Sequence, residues 1–384
     1  MHNFVWYNPT KILFGKGTIP AIGPETAAWG KRCLLVYGGG SIKRNGIYDT
    51  VVTALREVGV ETIEHGGVQS NPLLSHVREG IAKAKADRAE VIVAVGGGSV
   101  LDSAKAICAG AVVDHDVWKF FTGKKGIKKA LPLTTVLTLA ASASEMNSGM
   151  VITRDDTREK FGFGSQQLFP KVSILDPEAT YSVPPDYTAY GAVDAIAHVL
   201  EFYMTKEDPV TPVQDRIMEG LIINAMDGCD RCLADPRDYQ GRADLMWTAT
   251  LALNGLTGAG VGRAGFPMHM IEHSLSALYD VAHGAGLAVV IPGWLRWRAR
   301  TDTRRLAQLG SRVFGISGPD AAAETIARLE QWFARVSCPI RLGQLGISGS
   351  DIPAIAANAV KLARVWRLDV YTAEVIEEII RLCV

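Results

Sequence analysis

A chain of 384 residues is longer than one typical hydrophobic core supports, so two domains are expected. Forty basic and forty acidic side chains cancel to a formal charge of zero, which leaves no net field to gather nucleic acid or an anionic membrane and points to small-molecule chemistry. Six cysteines are too sparse for a disulfide framework, and the thiols are expected to be reduced.

Residues 1–17 lack the basic and apolar regions of a secretory signal, and no charge-free apolar run reaches spanning length, so a cytoplasmic protein is expected. Short apolar, β-branched runs at 32–37, 90–95, 132–139 and 172–175 read as buried strands. The segments 51–58, 73–86 and 101–112 between them carry helical spacing. Strand, loop and helix in alternation predict a doubly wound, mostly parallel sheet whose ligands bind where strands end. After Val183-Pro184-Pro185 the texture changes to helix-forming segments at 187–203, 214–226 and 242–255, and the domain boundary is placed there. Cys229 and Cys232 form a lone CxxC with no second pair or nearby histidine, and read as ordinary helix cysteines. Two short basic stretches, 124–129 and 296–305, read as solvated surface in a neutral chain.

Two strand ends in the first half are rich in glycine. The run Val91-Ile-Val-Ala-Val-Gly96-Gly97-Gly98-Ser99-Val100-Leu101-Asp102 is a buried strand that breaks into three glycines and restarts as a helix. Glycines there let backbone amides approach a phosphate, and a helix N-terminus adds positive potential, so the run is either a pyrophosphate cradle or a tight strand-to-helix turn. It is neither a G-x-G-x-x-G nor a G-x-x-x-x-G-K-[ST] motif. The second run, Leu34-Leu35-Val36-Tyr37-Gly38-Gly39-Gly40-Ser41-Ile42-Lys43-Arg44, lacks the carboxylate that binds a ribose 2′-hydroxyl in many dinucleotide folds. Ser41 offers a hydroxyl and Lys43 or Arg44 a charge, which predicts NADP(H) over NAD(H).

Among eight histidines, four fall in the second half in patterns that can bring them together. Asp194 and His198 are four apart with Ala195, Ile196 and Ala197 between, so on a helix they share an apolar face, either as joint ligands or as an Asp-oriented core histidine. Pro267 suits a first helical turn, which places His269 and His273 on one face, and His283 sits in a glycine-flanked turn. One aspartate with three histidines makes an N/O set suited to Fe²⁺, Zn²⁺ or another late divalent ion. The string His269-Met-Ile-Glu272-His273 also satisfies the H-x-x-E-H protease signature, in which Glu272 would activate water, but that reading leaves the glycine loops and Asp194/His198 unexplained.

Taken together, Pro9-Thr10-Lys11-Ile12-Leu13-Phe14-Gly15-Lys16-Gly17, Tyr37-Gly38-Gly39-Gly40-Ser41, Asn71-Pro72, the Gly96 to Asp102 run, Leu175-Asp176-Pro177, Gly191 to His198, His269 to His273 and His283-Gly284 resemble the iron-containing (group III) alcohol dehydrogenase family. The branch they resemble is that of NADPH-dependent aldehyde reductases and butanol dehydrogenases, and the likeness spans nearly the whole chain. The resemblance implies a dehydroquinate synthase-like architecture: an α/β Rossmann-like dinucleotide-binding domain over 1–183 and an all-α metal-binding domain over 184–384. It implies one divalent ion, Fe²⁺ or Zn²⁺, held by Asp194, His198, His269 and His283, with His273 close by. It further implies that Gly97, Gly98, Ser99 and Asp102 hold the pyrophosphate and adjoining ribose, that Thr138 and Ser142 line the cofactor cleft, and that Lys160 reaches the nicotinamide ribose. Asn71 joins this set, as do Gly38, Gly39 and Ser41. Gly38 stands where NAD-preferring relatives carry an acidic residue. One departure is that Ala143 takes the place of a glycine in the segment Thr138-Leu-Ala-Ala-Ser142-Ala143-Ser144-Glu145; another is the presence of Glu272.

The expected activity is that of an NADP(H)-linked alcohol dehydrogenase or aldehyde reductase on short- to medium-chain substrates, by hydride transfer to a metal-polarised carbonyl with His273 as proton relay. A sugar-phosphate lyase on the same architecture would need a basic cluster near the ligands, where only Arg263 is found. Partners are expected to be a small aldehyde or alcohol and a second copy of the chain in a homodimer, with neither nucleic acid nor membrane.

Overall fold

The computed structural model describes residues 1–208 and 210–384, and the chain folds as two compact units. One comprises Tyr7–Val183 with Pro236–Met246; the other comprises Met1–Trp6, Pro184–Asp235 and Trp247–Val384. A single cut at 183/184 therefore misses two exchanged segments. Met1–Trp6 groups with the helical unit, where the His2 amide donates to the Gly260 carbonyl at 3.0 Å. Pro236–Met246 groups with the sheet unit, where Arg237 lies 5.7 Å from the centre of the Tyr181 ring.

The sheet unit is built on six parallel strands: β1 (Lys11–Phe14), β2 (Arg32–Gly38), β3 (Glu61–Val68), β4 (Val91–Gly96), β5 (Leu133–Leu137) and β8 (Val172–Leu175), in the order β1-β8-β5-β4-β2-β3. The strands β6 (Gly149–Arg154) and β7 (Glu159–Gly164) form a separate antiparallel hairpin. Helices α1 (Ile22–Ala27), α2 (Ser41–Arg44), α3 (Ile47–Glu57), α4 (Leu74–Ala86), α5 (Gly98–Gly110) and α6 (Trp118–Phe121) complete the unit. Strands β4 and β5 are buried along their whole length, as near-continuous apolar runs covered on both faces must be. The chain passes from β2 outward to β3 and then returns to the other side of β2 as β4. Connections therefore reverse direction between β2 and β4, and in open α/β sheets that point opens a crevice at the strands' carboxyl ends. Gly38 ends one of these strands and Gly96 the other.

The helical unit contains α7 (Pro185–Thr205), α8 (Pro212–Ala234), α9 (Tyr239–Ala252), whose residues up to Met246 group with the sheet unit, α10 (Pro267–Tyr279), α11 (His283–Ala299), α12 (Arg304–Leu309), α13 (Ala321–Arg335), α14 (Ile352–Val365) and α15 (Ala373–Arg381). Proline opens α7, α8 and α10, where its missing N–H costs nothing and its fixed φ suits the first turn. Helix α7 is buried on nearly every face from Thr188 to Met204, so its polar residues face protein rather than water. The six cysteines are all buried, Cys229 and Cys232 on α8 among them. No helix among the described residues is long and apolar enough to cross a membrane.

Candidate metal centre and nucleotide loops

Three helices of the helical unit bring the predicted ligands together. Helix α7 carries Asp194 and His198 one turn apart, α10 carries His269 and His273, and His283 is the first residue of α11. The sequence placed His283 in a turn. The structure starts a helix with it, because Gly284 lets α11 meet the α7 backbone: a Cβ there would lie 2.2 Å from the Tyr190 carbonyl oxygen. Asp194 Oδ1 sits 3.6 Å from His198 Nδ1, 3.6 Å from His269 Nε2 and 3.5 Å from His283 Nε2. Asp194, His198 and His269 are buried, and their facing atoms Asp194 Oδ1, His198 Nδ1 and His269 Nε2 have no hydrogen-bond partner. Buried polar atoms are nearly always satisfied, so donor-type atoms converging without a hydrogen bond are the arrangement a cation fits.

At Asp194 and His198 the electrostatics agree with that arrangement. Burial alone would raise the Asp194 carboxyl, but the imidazoles of His198, His283 and His269 hold it well below the usual carboxylate range. Burial pushes His198 down to about 3, only partly offset by Asp194, so at neutral pH it is a neutral lone-pair donor. Its ring stacks on His269 with centroids 4.6 Å apart. For His269 burial also acts downward, yet Asp194 and Glu201 carry it up to about 9.

Two buried carboxylates lie behind the ligand set. Glu201 accepts from both the backbone N–H of His269, at 2.9 Å, and its ring Nδ1, at 3.0 Å. Glu272 accepts from Ser276 and from His283 Nδ1, and its own burial is complete. A water-activating protease role for Glu272 is thereby set aside. Glu201 escaped the sequence reading, although it stands seven residues after Asp194 on the same face of an apolar helix, which is itself a signal. His273 is buried, with its ring centre 5.6 Å from that of His283 and 5.5 Å from that of Trp366.

In the sheet unit the glycine runs sit at the carboxyl ends of β2 and β4. Gly97 precedes α5 in an extended conformation and no side chain caps that helix; the Val100 and Leu101 amides turn back to the Gly97 carbonyl, which leaves those of Gly98 and Ser99 to face an anion. Gly98 is also demanded by packing, since a Cβ there would lie 2.2 Å from Ser142 Oγ. The Thr138 amide donates to the Gly96 carbonyl at 3.0 Å, and Ser99 Oγ donates to the Ser70 carbonyl next to Asn71. Asn71 Oδ1 accepts from Lys160 Nζ at 3.0 Å, and it is the hairpin, through β7, that delivers Lys160 there. Asp102 accepts from Ser144 Oγ at 2.6 Å and from the Val151 amide at 2.9 Å, so in this fold it straps α5 to the 144–151 segment. The same segment holds Lys105, a fully buried amine that donates to Asn147 O, Asn147 Oδ1 and Gly149 O at 2.9, 3.0 and 2.8 Å. Sequence reasoning passed over it because it lies in an ordinary helical pattern.

At the end of β2, Gly38 and Gly39 lead to Gly40, whose φ of 99° is natural only for glycine, and Ser41 begins α2. Lys43 does not offer a free charge. Its Nζ lies 3.2 Å from Glu64 Oε2 and 4.9 and 4.4 Å from the Tyr37 and Tyr48 ring centres. Both tyrosine hydroxyls donate to Glu64 at 2.6 Å. Lys43 and Arg44 are both exposed.

Residues 9–177 match the family described as iron-containing alcohol dehydrogenase, and residues 188–383 match the C-terminal part of the Fe-containing alcohol dehydrogenase family. The chain is 43% identical to the probable NADH-dependent butanol dehydrogenase 1 of Bacillus subtilis (strain 168), with 94% of each chain covered. It is 39% identical to the NADPH-dependent aldehyde reductase YqhD of Escherichia coli (strain K12), with 92% of each covered. The crystal structure of NADH-dependent butanol dehydrogenase A from Thermotoga maritima matches with a TM-score of 0.96 at 43% identity, covering 100% of this chain and 99% of that one.

Proposed function

The chain belongs to the iron-containing alcohol dehydrogenase family, and on that footing we propose that it is a metal-dependent, NADP(H)-linked alcohol dehydrogenase and aldehyde reductase acting on short- to medium-chain aldehydes and primary alcohols. The observation that carries the reading is the convergence of unpartnered, buried Asp194 Oδ1, His198 Nδ1 and His269 Nε2, with His283 Nε2 3.5 Å from the same carboxylate oxygen. Asp194, His198, His269 and His283 would hold one divalent ion, Fe²⁺ or Zn²⁺. When bound, such an ion supplies Lewis-acid polarisation of a carbonyl, which favours hydride transfer from the nicotinamide. Asp194 brings the negative charge that offsets the ion, and neutral His198 brings a lone pair without one. Glu201 fixes His269 with its Nδ1–H donating, which leaves Nε2 directed at Asp194. His273, buried beside His283, is assigned as the group that gives or takes the alcohol proton.

On the nucleotide side, Gly97, Gly98 and Ser99 would cradle the pyrophosphate at the start of α5, with Thr138, Ser142 and Asp102 shaping the loop opposite. Asn71 and Lys160 form a buried, hydrogen-bonded pair suited to ribose hydroxyls. The preference for NADP(H) rests on Gly38, Gly39 and Ser41: no carboxylate occupies the end of β2, and the nearby Glu64 is paired with Lys43 and accepts from two tyrosine hydroxyls. The test is a kcat/KM series over short and branched aldehydes, with NADPH and with NADH, on protein of measured metal content. NADPH is expected to win, and a preference for NADH overturns the cofactor assignment. His269→Ala is expected to lose metal and at least about 100-fold in turnover while still binding nucleotide. Full activity in the metal-free variant rules the mechanism out.

A further inference from the structure

Behind the proposed centre lies a charge that the reaction does not call for. Glu272 stands on α10 between His269 and His273, and its side chain is completely buried. We propose that Glu272 is the positioning residue of the centre, fixing the tautomer and the aim of His283 and so setting how tightly the divalent ion is held. The inference rests on the metal reading above.

The geometry is specific to one ring nitrogen. A buried carboxylate against His283 Nδ1 requires that nitrogen to carry the proton, which leaves Nε2 with its lone pair, 3.5 Å from Asp194 Oδ1. The other oxygen of Glu272 accepts from Ser276, whose Oγ also lies 3.0 Å from the Val281 carbonyl in the link between α10 and α11. On the far side, a Cβ at Gly286 would fall 2.6 Å from Glu272 Oε1, so the first turn of α11 closes over this carboxylate only because residue 286 is glycine. The link and the opening of α11 are thus folded around Glu272.

His283 needs such a clamp more than its companions do. Its side chain keeps 27% of its surface exposed, against 6% and 5% for His198 and His269, so packing alone restrains it least. His269 receives the same treatment from Glu201, which makes a carboxylate behind the imidazole a repeated device rather than an accident of one contact. Carboxylates in this relation orient a ligand and raise its basicity, and losing one typically costs about 10–100-fold in metal affinity. Glu272, His273 and His283 also lie close enough to be read as a second three-donor cation site. The proton held between Glu272 and His283 Nδ1 leaves no room for an ion between those two atoms, so one ion per chain is expected.

The experiment measures Zn²⁺ affinity of the full chain by competition with a chromophoric chelator, for wild type, Glu272→Gln and Glu272→Ala, alongside melting of each metal-free protein. Glu272→Ala is expected to bind Zn²⁺ about 10–100-fold more weakly, with Glu272→Gln between it and wild type because the amide still accepts from Nδ1–H. Metal-free Glu272→Gln is expected to melt no lower than metal-free wild type, since it removes one of the two buried carboxylates that face the His283 ring. A role confined to packing predicts the opposite pattern, with lowered metal-free melting and unchanged affinity, and that result overturns the proposal. Two ions per wild-type chain also overturn it. A wild-type chain that takes up no divalent ion brings down the metal-centre reading itself. Wild-type binding with equal affinity in all three proteins brings down only the role of Glu272.

Discussion

Lys105 carries its amine into a fully buried site, held by three oxygen acceptors. Burial lowers its amine from 10.5 to about 8, with Asp102 and Glu145 pulling the other way. Below about pH 8 the amine is protonated whether the chain is folded or not, and its whole burial cost is present. Between about 8 and 10.5 the unfolded chain binds the extra proton, so this group's contribution to stability rises with pH through that window. The difference in urea unfolding free energy between wild type and Lys105→Met is therefore expected to move in favour of wild type from pH 7.5 to pH 10, other groups cancelling in the comparison. A difference that stays flat contradicts the assignment. At the same scale, Asp194 and His198 were legible from a four-residue spacing across apolar neighbours. Ala143 was legible only as an odd residue in a glycine's place. The structure gives the reason: it is buried with a φ of 53°, a left-handed conformation in which its Cβ is strained. The grip of Glu64 on Lys43 joins residues far apart in the chain, and no local pattern announces it.

At the scale of elements, the register of α11 against α7 decides whether His283 reaches Asp194. Helices rarely approach closely enough for a side-chain carbon to meet a carbonyl, and Gly284 exists at such a point. Gly284→Ala is expected to cost about 1–3 kcal/mol in unfolding free energy from overpacking and to weaken Zn²⁺ binding by at least tenfold. Loss of stability with untouched affinity would mean that α11 tolerates the shift without moving His283. The buried strands announced themselves as apolar runs, and the long helices by their spacing. Strand β3 did not, because it is an edge strand with Glu61 and Glu64 exposed along it, and the β6/β7 hairpin is made of short runs whose longest apolar stretch is Met150–Ile152. The start of α11 was misread as a turn for a related reason: glycines at 284 and 286 look like punctuation, whereas here they make room for Tyr190 and Glu272.

At the scale of the whole molecule, each proposed ligand belongs to a different unit, the ion to the helical one and the nucleotide to the sheet. Ligands stabilise what binds them by mass action, about 2.7 kcal/mol at a hundredfold excess over Kd. Zn²⁺ is expected to slow hydrogen exchange in α7, α10 and α11, and NADPH to slow it around 38–41 and 97–102. Protection in the reverse pattern would mean that the ligands have been assigned to the wrong units. Residue 183 is where the sequence texture changes, whereas the grouping of Pro236–Met246 with the sheet unit depends on contacts that the local sequence does not spell.

The buried thiols give this division a practical reading. Burial holds Cys33 up at about 11 and Cys338 and Cys383 at about 12, so none offers a thiolate to an alkylating reagent while the fold is closed. Cys33 and Cys108 lie in the sheet unit, and Cys229, Cys232, Cys338 and Cys383 in the helical one. Pulse alkylation followed by peptide mass analysis thus times the opening of each unit separately, with no probe engineered in and no residue substituted.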